Sequence, residues 1–410
     1  MKKIFLLFLS LIMLFSLSSC TISEEKEKGK TYEKESFAAE SVQNKFAVKS
    51  VWISYYEFQK LLENKNQKEF ERTIDTQFKN LRDIGFNTVT VQVRPFADAF
   101  YNSEYFPSSA YAFGKQGVKM PFDPFEIICV AAEKYSLRVE AWINPYRVST
   151  SPDISKLSND NTAKKWAKNK KTKSNVFIFK KGIYFNPASK RVTKLIVNGV
   201  SEIVRNYKVA SIHFDDYFYP SESKDIDKKE YKNYLKSGGK MSLSDFRRDR
   251  VSNMIKSVYS AVKKENKNVL FGVSPASDIE NDRSVLFADV EKWASEKGYV
   301  DYICPQIYFG FKNEKQPFMF TAKKWKSLAK CKLYVGLPLY KAGKKDKYAA
   351  SENTDAVNEF KNNDDIISRQ IKYLSKLGGI DGIYIFSYGS LFNEKSEKES
   401  ENLKKILKNY

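Results

Sequence analysis

Eight short, almost wholly apolar runs recur along this chain, and a helical pattern follows each of them. They are SVWIS (50–54), TVTVQV (88–93), RVEAWI (138–143), SIHFD (211–215), VLFGVS (269–274), YICPQIY (302–308), LYVGLPLY (333–340) and GIYIFSY (382–388). A run that is apolar at successive positions is buried on both faces, the pattern of a parallel strand. Between the runs, apolar residues return at three- and four-residue spacing in FERTIDTQFKNLRDIG, DPFEIICVAAEKYS, VTKLIVNGVSEIVRNY, LSDFRRDRVSNMIKSVYSAVKKE, DVEKWASEKG, FTAKKWKSLAK and DDIISRQIKYLSKLGG, and KESENLKKILKNY closes the chain. Eight βα units in 410 residues predict an α/β fold, a closed (β/α)8 barrel over 48–410. A doubly wound sheet fits less well, because no glycine-rich first turn is present.

Barrels of this kind gather the C-terminal ends of their strands at one mouth, beneath long loops. Long loops follow five of the runs here, at 94–123, 144–190, 216–243, 275–288 and 341–365. The strand ends are polar or aromatic: Gln92 and Arg94 with Asp98 beyond, Asn144-Pro145-Tyr146-Arg147, His213-Phe214-Asp215-Asp216-Tyr217, Ser274-Pro275 with Asp278 beyond, Gln306-Ile307-Tyr308, Tyr340, and Ser387-Tyr388. A stability-only rim would be apolar. Hydroxyls, amides and aromatic faces together suit a sugar, which offers hydroxyls at its edges and C–H groups on its faces. Strand alternation points His213 and Asp215 toward the barrel axis and leaves Asp216 at the lip. Two carboxyl groups flanking a glycosidic bond act as proton donor and as nucleophile or base. Asp215 is read as the nucleophile or stabilising base, and the acid as Asp216, Asp278, Asp98 or Glu140, in that order. Glu140 lies mid-strand, which demands a buried partner or a different register. Trp52 and Trp142 are read as core.

The N-terminus points outside the cytoplasm. Lys2 and Lys3 precede an apolar stretch from Ile4 to Leu17, then Leu17-Ser18-Ser19-Cys20. That order reads as a signal peptide over 1–19, too short for a comfortable membrane span. Its end resembles the site at which bacterial lipoproteins are cut and diacylated on Cys20. Residues 20–47 are polar and without period, and are read as a tether to the membrane. Cys129, Cys304 and Cys331 sit in apolar runs without metal-ligand spacing, so free thiols are expected. With His213 the single histidine, no metal site and no cofactor are expected. Lys and Arg exceed Asp and Glu by 21 charges, which favours polyanionic partners. No nucleic-acid motif accompanies that charge, so an acidic polysaccharide is the expected partner and the chain is expected to be a monomer.

The segments VWISYYEF, GFNTVTVQVRPFADAFYNSEYFPSSAY, EAWINPYRV, YFNPAS, IHFDDYFYP, FGVSP, DYICPQIYF and GIYIFSY resemble the glycosyl-hydrolase-like family of bacterial lipoproteins. That family includes hydrolases of peptidoglycan strands stripped of stem peptides. The resemblance runs from about residue 50 to residue 390 and implies a (β/α)8 barrel that hydrolyses such strands. It places Arg94, Asp98, Asn144, Tyr146, Arg147, His213, Asp215, Asp216, Gln306 and Tyr308 on motif positions. Tyr217 and Tyr388 join them as strand-end substrate contacts. The chain departs from the family at Glu140, where relatives often carry His, and after Pro275, where Ala-Ser-Asp-Ile-Glu-Asn replaces an aromatic-rich segment and makes Asp278 a less secure acid. The competing readings are a glycan-binding lipoprotein without turnover and a two-lobed solute-binding lipoprotein. Eight evenly spaced units disfavour the second.

Overall fold

The computed structural model describes residues 45–179, 182–349 and 353–410. The expected signal peptide, Cys20 and nearly all of the tether lie outside them. Eight parallel strands close into a ring: β1 Val48–Ile53, β2 Thr88–Arg94, β3 Arg138–Ile143, β4 Ser211–Phe214, β5 Leu270–Val273, β6 Tyr302–Ile303, β7 Lys332–Leu337 and β8 Gly382–Ile385. Strand β1 pairs with both β2 and β8, so no edge is left open. Helices return the chain between strands. The one at Gln67–Ile84 is representative: Asn66 and Glu69 form its capping box, and Gly85 ends it at φ 114°, a left-handed conformation that glycine adopts without a Cβ clash.

Alternation sorts the strand residues into two cores. Val51, Val89, Ile143, Ile212, Val273 and Ile383 belong to the outer core against the helices. Trp52, Trp142, Tyr302, Cys304, Tyr334 and Tyr384 fill the inside. The interior is therefore aromatic, and it stays closed because small residues sit beside the rings. A Cβ on Gly272 would lie 2.1 Å from the Tyr302 ring. Gly272→Ala is expected to lose roughly 1–3 kcal/mol in denaturant unfolding, because the Tyr302 ring has no empty space to move into.

The structure departs from the sequence expectation at three kinds of place. Strand β6 has two residues rather than seven, and β7 stops at Leu337, because Pro305 and Pro338 cannot donate to the ladder. The loop after β3 folds into a small antiparallel sheet of Arg147–Ser149, Val176–Phe179 and Gly182–Phe185. Short helices at Tyr55–Leu62, Thr162–Lys168, Lys228–Lys236, Ile279–Ser284 and Thr354–Asn362 occupy stretches without long helical periodicity. Cys129 and Cys304 are buried and Cys331 half-buried, all as free thiols.

Candidate active site

Asp215 is the first residue past β4, and its side chain faces the barrel axis. The register pairs Trp142 of β3 with His213 of β4, so Trp142, Asn144, His213 and Asp215 share the interior side. Trp142 Nε1–H donates to Asp215 Oδ2 at 2.9 Å, and Asn144 Nδ2–H donates to the same oxygen at 2.5 Å. Asn144 is held in turn by Gln92, whose Nε2–H donates to its Oδ1 at 2.6 Å. The Tyr55 amide donates to Gln92 Oε1 at 2.9 Å. Four residues, from β2, the end of β3 and the helix Tyr55–Leu62, thus orient one carboxyl group. Its other oxygen takes only a long bond, 3.3 Å, from the Tyr217 amide. Burial first, then the neighbouring Asp216 charge, push the Asp215 carboxyl up to about 7 against the pull of Arg147, Trp142 and the Tyr217 amide. Burial also raises Asp216, which is half-buried; its own backbone, Gln306 and Arg147 oppose the rise.

Aromatic side chains flank the pair. On the β6–β8 side, Tyr308, Tyr340 and Phe386 pack at ring separations of 5.8 to 6.0 Å. All three are half-buried. Burial, then Tyr340, Cys304, Asp216 and Asp215, keep the Tyr308 phenol protonated, so it is a hydrogen-bond donor beside the carboxyls. Gln306 is tied back through Nε2–H to the Ser274 carbonyl at 3.0 Å. On the opposite side, the Arg147 guanidinium lies over the Phe96 and Tyr217 rings at 4.8 and 4.5 Å.

The interior below is polar but sealed. Trp52 Nε1–H donates to His213 Nε2 at 3.2 Å, so the imidazole proton sits on Nδ1, facing the Tyr302 hydroxyl at 2.9 Å. Burial lowers His213 to about 3 and keeps it neutral. The histidine is therefore a packed support bonded to Trp52 and Tyr302, and neither bond goes to an aspartate. Glu140 accepts from Thr90 Oγ1–H at 2.7 Å and from Tyr384 Oη–H at 2.8 Å. It does lie mid-strand, and the two hydroxyls are the partners that burial requires.

Five other expected site residues point elsewhere. Arg94 is fully buried, with its guanidinium over the Phe106 ring at 4.5 Å, so it does not reach the mouth. Asp98 accepts from Gln116 Nε2–H at 2.7 Å, and burial raises it to about 6. Tyr146 is fully buried among apolar neighbours. Asp278 caps the helix Ile279–Ser284, accepting from the Glu280 and Asn281 amides. Tyr388 turns outward and donates to Gln77 Oε1 of the helix Gln67–Ile84. Conversely, Trp142, read as core, and Phe386, not read as a site residue, serve the site, as do the strand-end residues Gln92 and Tyr340. For Trp142 a signal was available, since it lies two residues before Asn144 and so shares its face; for Gln92 the spacing misleads, because the register shifts between it and Arg94. Asp282 gave none: it is fully buried, and burial and then the Asp216 charge push its pKa up against a bond from the Ala276 backbone. A cavity of about 630 Å³ lined by Tyr101, Glu104, Phe106, Lys119 and Lys165 includes neither Asp215 nor Asp216.

Residues 47–351 match the family Glycosyl hydrolase-like 10. The glycosyl hydrolase YngK of Bacillus subtilis (strain 168) is 31% identical over 325 residues, covering 72% of this chain and 61% of YngK. The glycosyl hydrolase DigH of Escherichia coli (strain K12) is 32% identical over 297 residues, 65% of each chain. The chain therefore spans less than two thirds of the length of these relatives. Among solved structures, the glycoside hydrolase domain of PgaB (BpsB) from Bordetella bronchiseptica superposes with a TM-score of 0.59 at 10% identity, covering 88% of this chain and 98% of that domain. The endo-1,4-beta-mannanase of Rhizomucor miehei gives 0.52 at 9% identity, over 89% and 96%. Identities this low establish the barrel alone.

Proposed function

This chain belongs to the Glycosyl hydrolase-like 10 family, and from that premise we propose that it hydrolyses glycosidic bonds in peptidoglycan glycan strands, especially strands stripped of stem peptides. The observation that carries the hydrolytic reading is Asp215: a carboxyl at the mouth, oriented by Trp142 and Asn144, with a pKa of about 7 beside a second carboxyl. Such a group can deliver a proton to the leaving oxygen, while Asp216 supports the oxocarbenium-like transition state as nucleophile or base. This division reverses the one that strand register suggested. The reason is that Asp215 is the deeper of the two and carries the Asp216 charge against it. Tyr308 adds a hydroxyl donor, and Tyr340 and Phe386 offer apolar faces for a pyranose ring.

The finer substrate rests on charge. Muramic acid bears a lactyl carboxylate, so even a peptide-free strand is a polyanion, and Arg147 stands at the mouth of a chain with 21 excess positive charges. The same reading places the protein outside the cytoplasm, anchored through a lipid on Cys20. Lys2, Lys3, the apolar stretch and Leu17-Ser18-Ser19-Cys20 support it.

If Asp215 must enter each cycle protonated, kcat/KM falls as pH rises through about 7. An initial-rate profile checks this, and a rate that keeps climbing from pH 6 to 8 contradicts it. The substrate is tested by incubating the full-length protein with intact and with peptide-stripped peptidoglycan and identifying new chain ends by mass spectrometry. New ends from the stripped material support the reading. None from either substrate removes it.

A further inference from the structure

The flank of the mouth opposite Tyr308 is one continuous strip. Starting beside Asp215, Tyr217 lies under the Arg147 guanidinium at 4.5 Å, and the same guanidinium covers Phe96 at 4.8 Å. Phe96 stacks on Tyr111 at 5.7 Å, and Tyr111 meets Tyr56 edge-on at 6.0 Å. These side chains come from the segments that follow four different strands, β1 to β4. Two features separate the strip from a packing cluster. Its ends remain open, with Tyr56 55% and Tyr217 50% exposed. Its cation forms no ion pair within 4.0 Å among the described residues, although the Phe96 and Tyr217 rings lie against it. Aromatic rings in a row with a guanidinium outside any ion pair match sugar rings in a row with a carboxylate on one of them.

We propose that Tyr56, Tyr111, Arg147 and Tyr217, backed by the buried Phe96, form an extended binding strip for consecutive sugars of a linear anionic glycan. A carboxylate-bearing sugar sits at Arg147, next to the carboxyl pair, the following sugar lies against Tyr111, and a third reaches Tyr56. The assignment rests on the glycan-hydrolase reading and adds to it: occupancy of the outer half requires chain length, and occupancy of the inner half requires charge. A disaccharide ends before Tyr56.

The test uses the full-length protein carrying Asp215→Asn to prevent cleavage, with Tyr56→Ala or Arg147→Gln added. The probes are size-fractionated, peptide-stripped peptidoglycan strands, a disaccharide fraction, and strands whose carboxylates have been converted to amides. Tyr56→Ala is expected to weaken binding of long strands about tenfold and leave the disaccharide unchanged. Arg147→Gln is expected to weaken native strands about tenfold or more and the amidated strands little. Both side chains are at least partly exposed, so the fold tolerates the changes. Equal losses on both lengths, or none, overturn the outer half; an Arg147 effect that survives amidation overturns the inner half. If the unsubstituted protein cleaves long strands and Tyr56→Ala binds them normally, the strip fails while the hydrolase reading stands. If the unsubstituted protein neither binds nor cleaves any strand, the hydrolase reading itself fails.

Discussion

Asp215→Asn is expected to lower turnover on glycan strands roughly 10²–10⁴-fold, the usual contribution of one positioned proton donor, while leaving strand binding in place. Asparagine keeps the shape and accepts the Trp142 and Asn144 bonds on its oxygen, but holds no transferable proton. A glycan-binding protein without turnover would show no such difference, so the measurement also separates the two classes of function. The same substitution has a stability signature whose sign follows from burial. Asp215 rises from 3.8 in the open chain to about 7 in the fold. Its favourable contribution is therefore complete below pH ~4 and is lost as pH rises through about 7, when the buried group must ionise. Each tenfold change in proton affinity between the open chain and the fold corresponds to about 1.4 kcal/mol. The Asp215→Asn variant has nothing to ionise at this position, so it gains on the parent protein as pH goes from 4 to 8. Denaturant midpoints at both ends of that range, alongside rates, check the pair of effects; equal stability differences at both pH values would refute the burial argument.

Arg247→Met is expected to cost about 3–5 kcal/mol, the largest single loss of stability among these substitutions. Arg247 is buried in the helix Leu243–Glu265 and binds Asp227 through both Nε and Nη2 at 2.8 Å. Its remaining donors reach the carbonyls of Glu222 at 3.0 Å and Ser223 at 2.7 Å. Tyr219 Oη–H donates to Asp227 at 3.0 Å. This cluster pins the far end of the loop that begins with Asp215 and Asp216. Removing the cation leaves a buried, unpaired carboxylate and two unmet carbonyls, so the loss exceeds that of an ordinary surface ion pair. The double variant Arg247→Met/Asp227→Leu removes both charges and recovers most of the stability. Urea unfolding of the single and double variants measures the difference. A double variant as unstable as the single one would mean that the carbonyl bonds, rather than the charge, dominate.

Much of this molecule is legible from local pattern. Near-continuous apolar runs and three- and four-residue helical spacing are properties of short segments, and they sufficed for eight strands, the barrel and the mouth at which Asp215, Asp216, Arg147, Gln306 and Tyr308 meet. Alternation alone set the inward side of β4, because a strand has a period of two whatever it pairs with. The lipid-anchor reading of Cys20 is local in the same way, though it lies outside the described residues. Local pattern failed where a side chain's role depends on a remote partner. Asp278 resembled a site residue and is a helix cap because a short helix starts after it. Tyr388 turned away because Gln77, 311 positions earlier, lies behind it. Arg94 was sealed under Phe106 by the fold of its own loop.

What the sequence by itself determined, then, is the ring of strands and the list of groups delivered to its rim, since both follow from the stereochemistry of the chain over a few residues. What tertiary structure alone decided is how far burial raises the proton affinity of Asp215, the premise of the proposed choice of proton donor. That choice depends on depth below the surface and on Trp142 and Asn144, some seventy residues away, and the energy of a charge depends on everything that has displaced water around it.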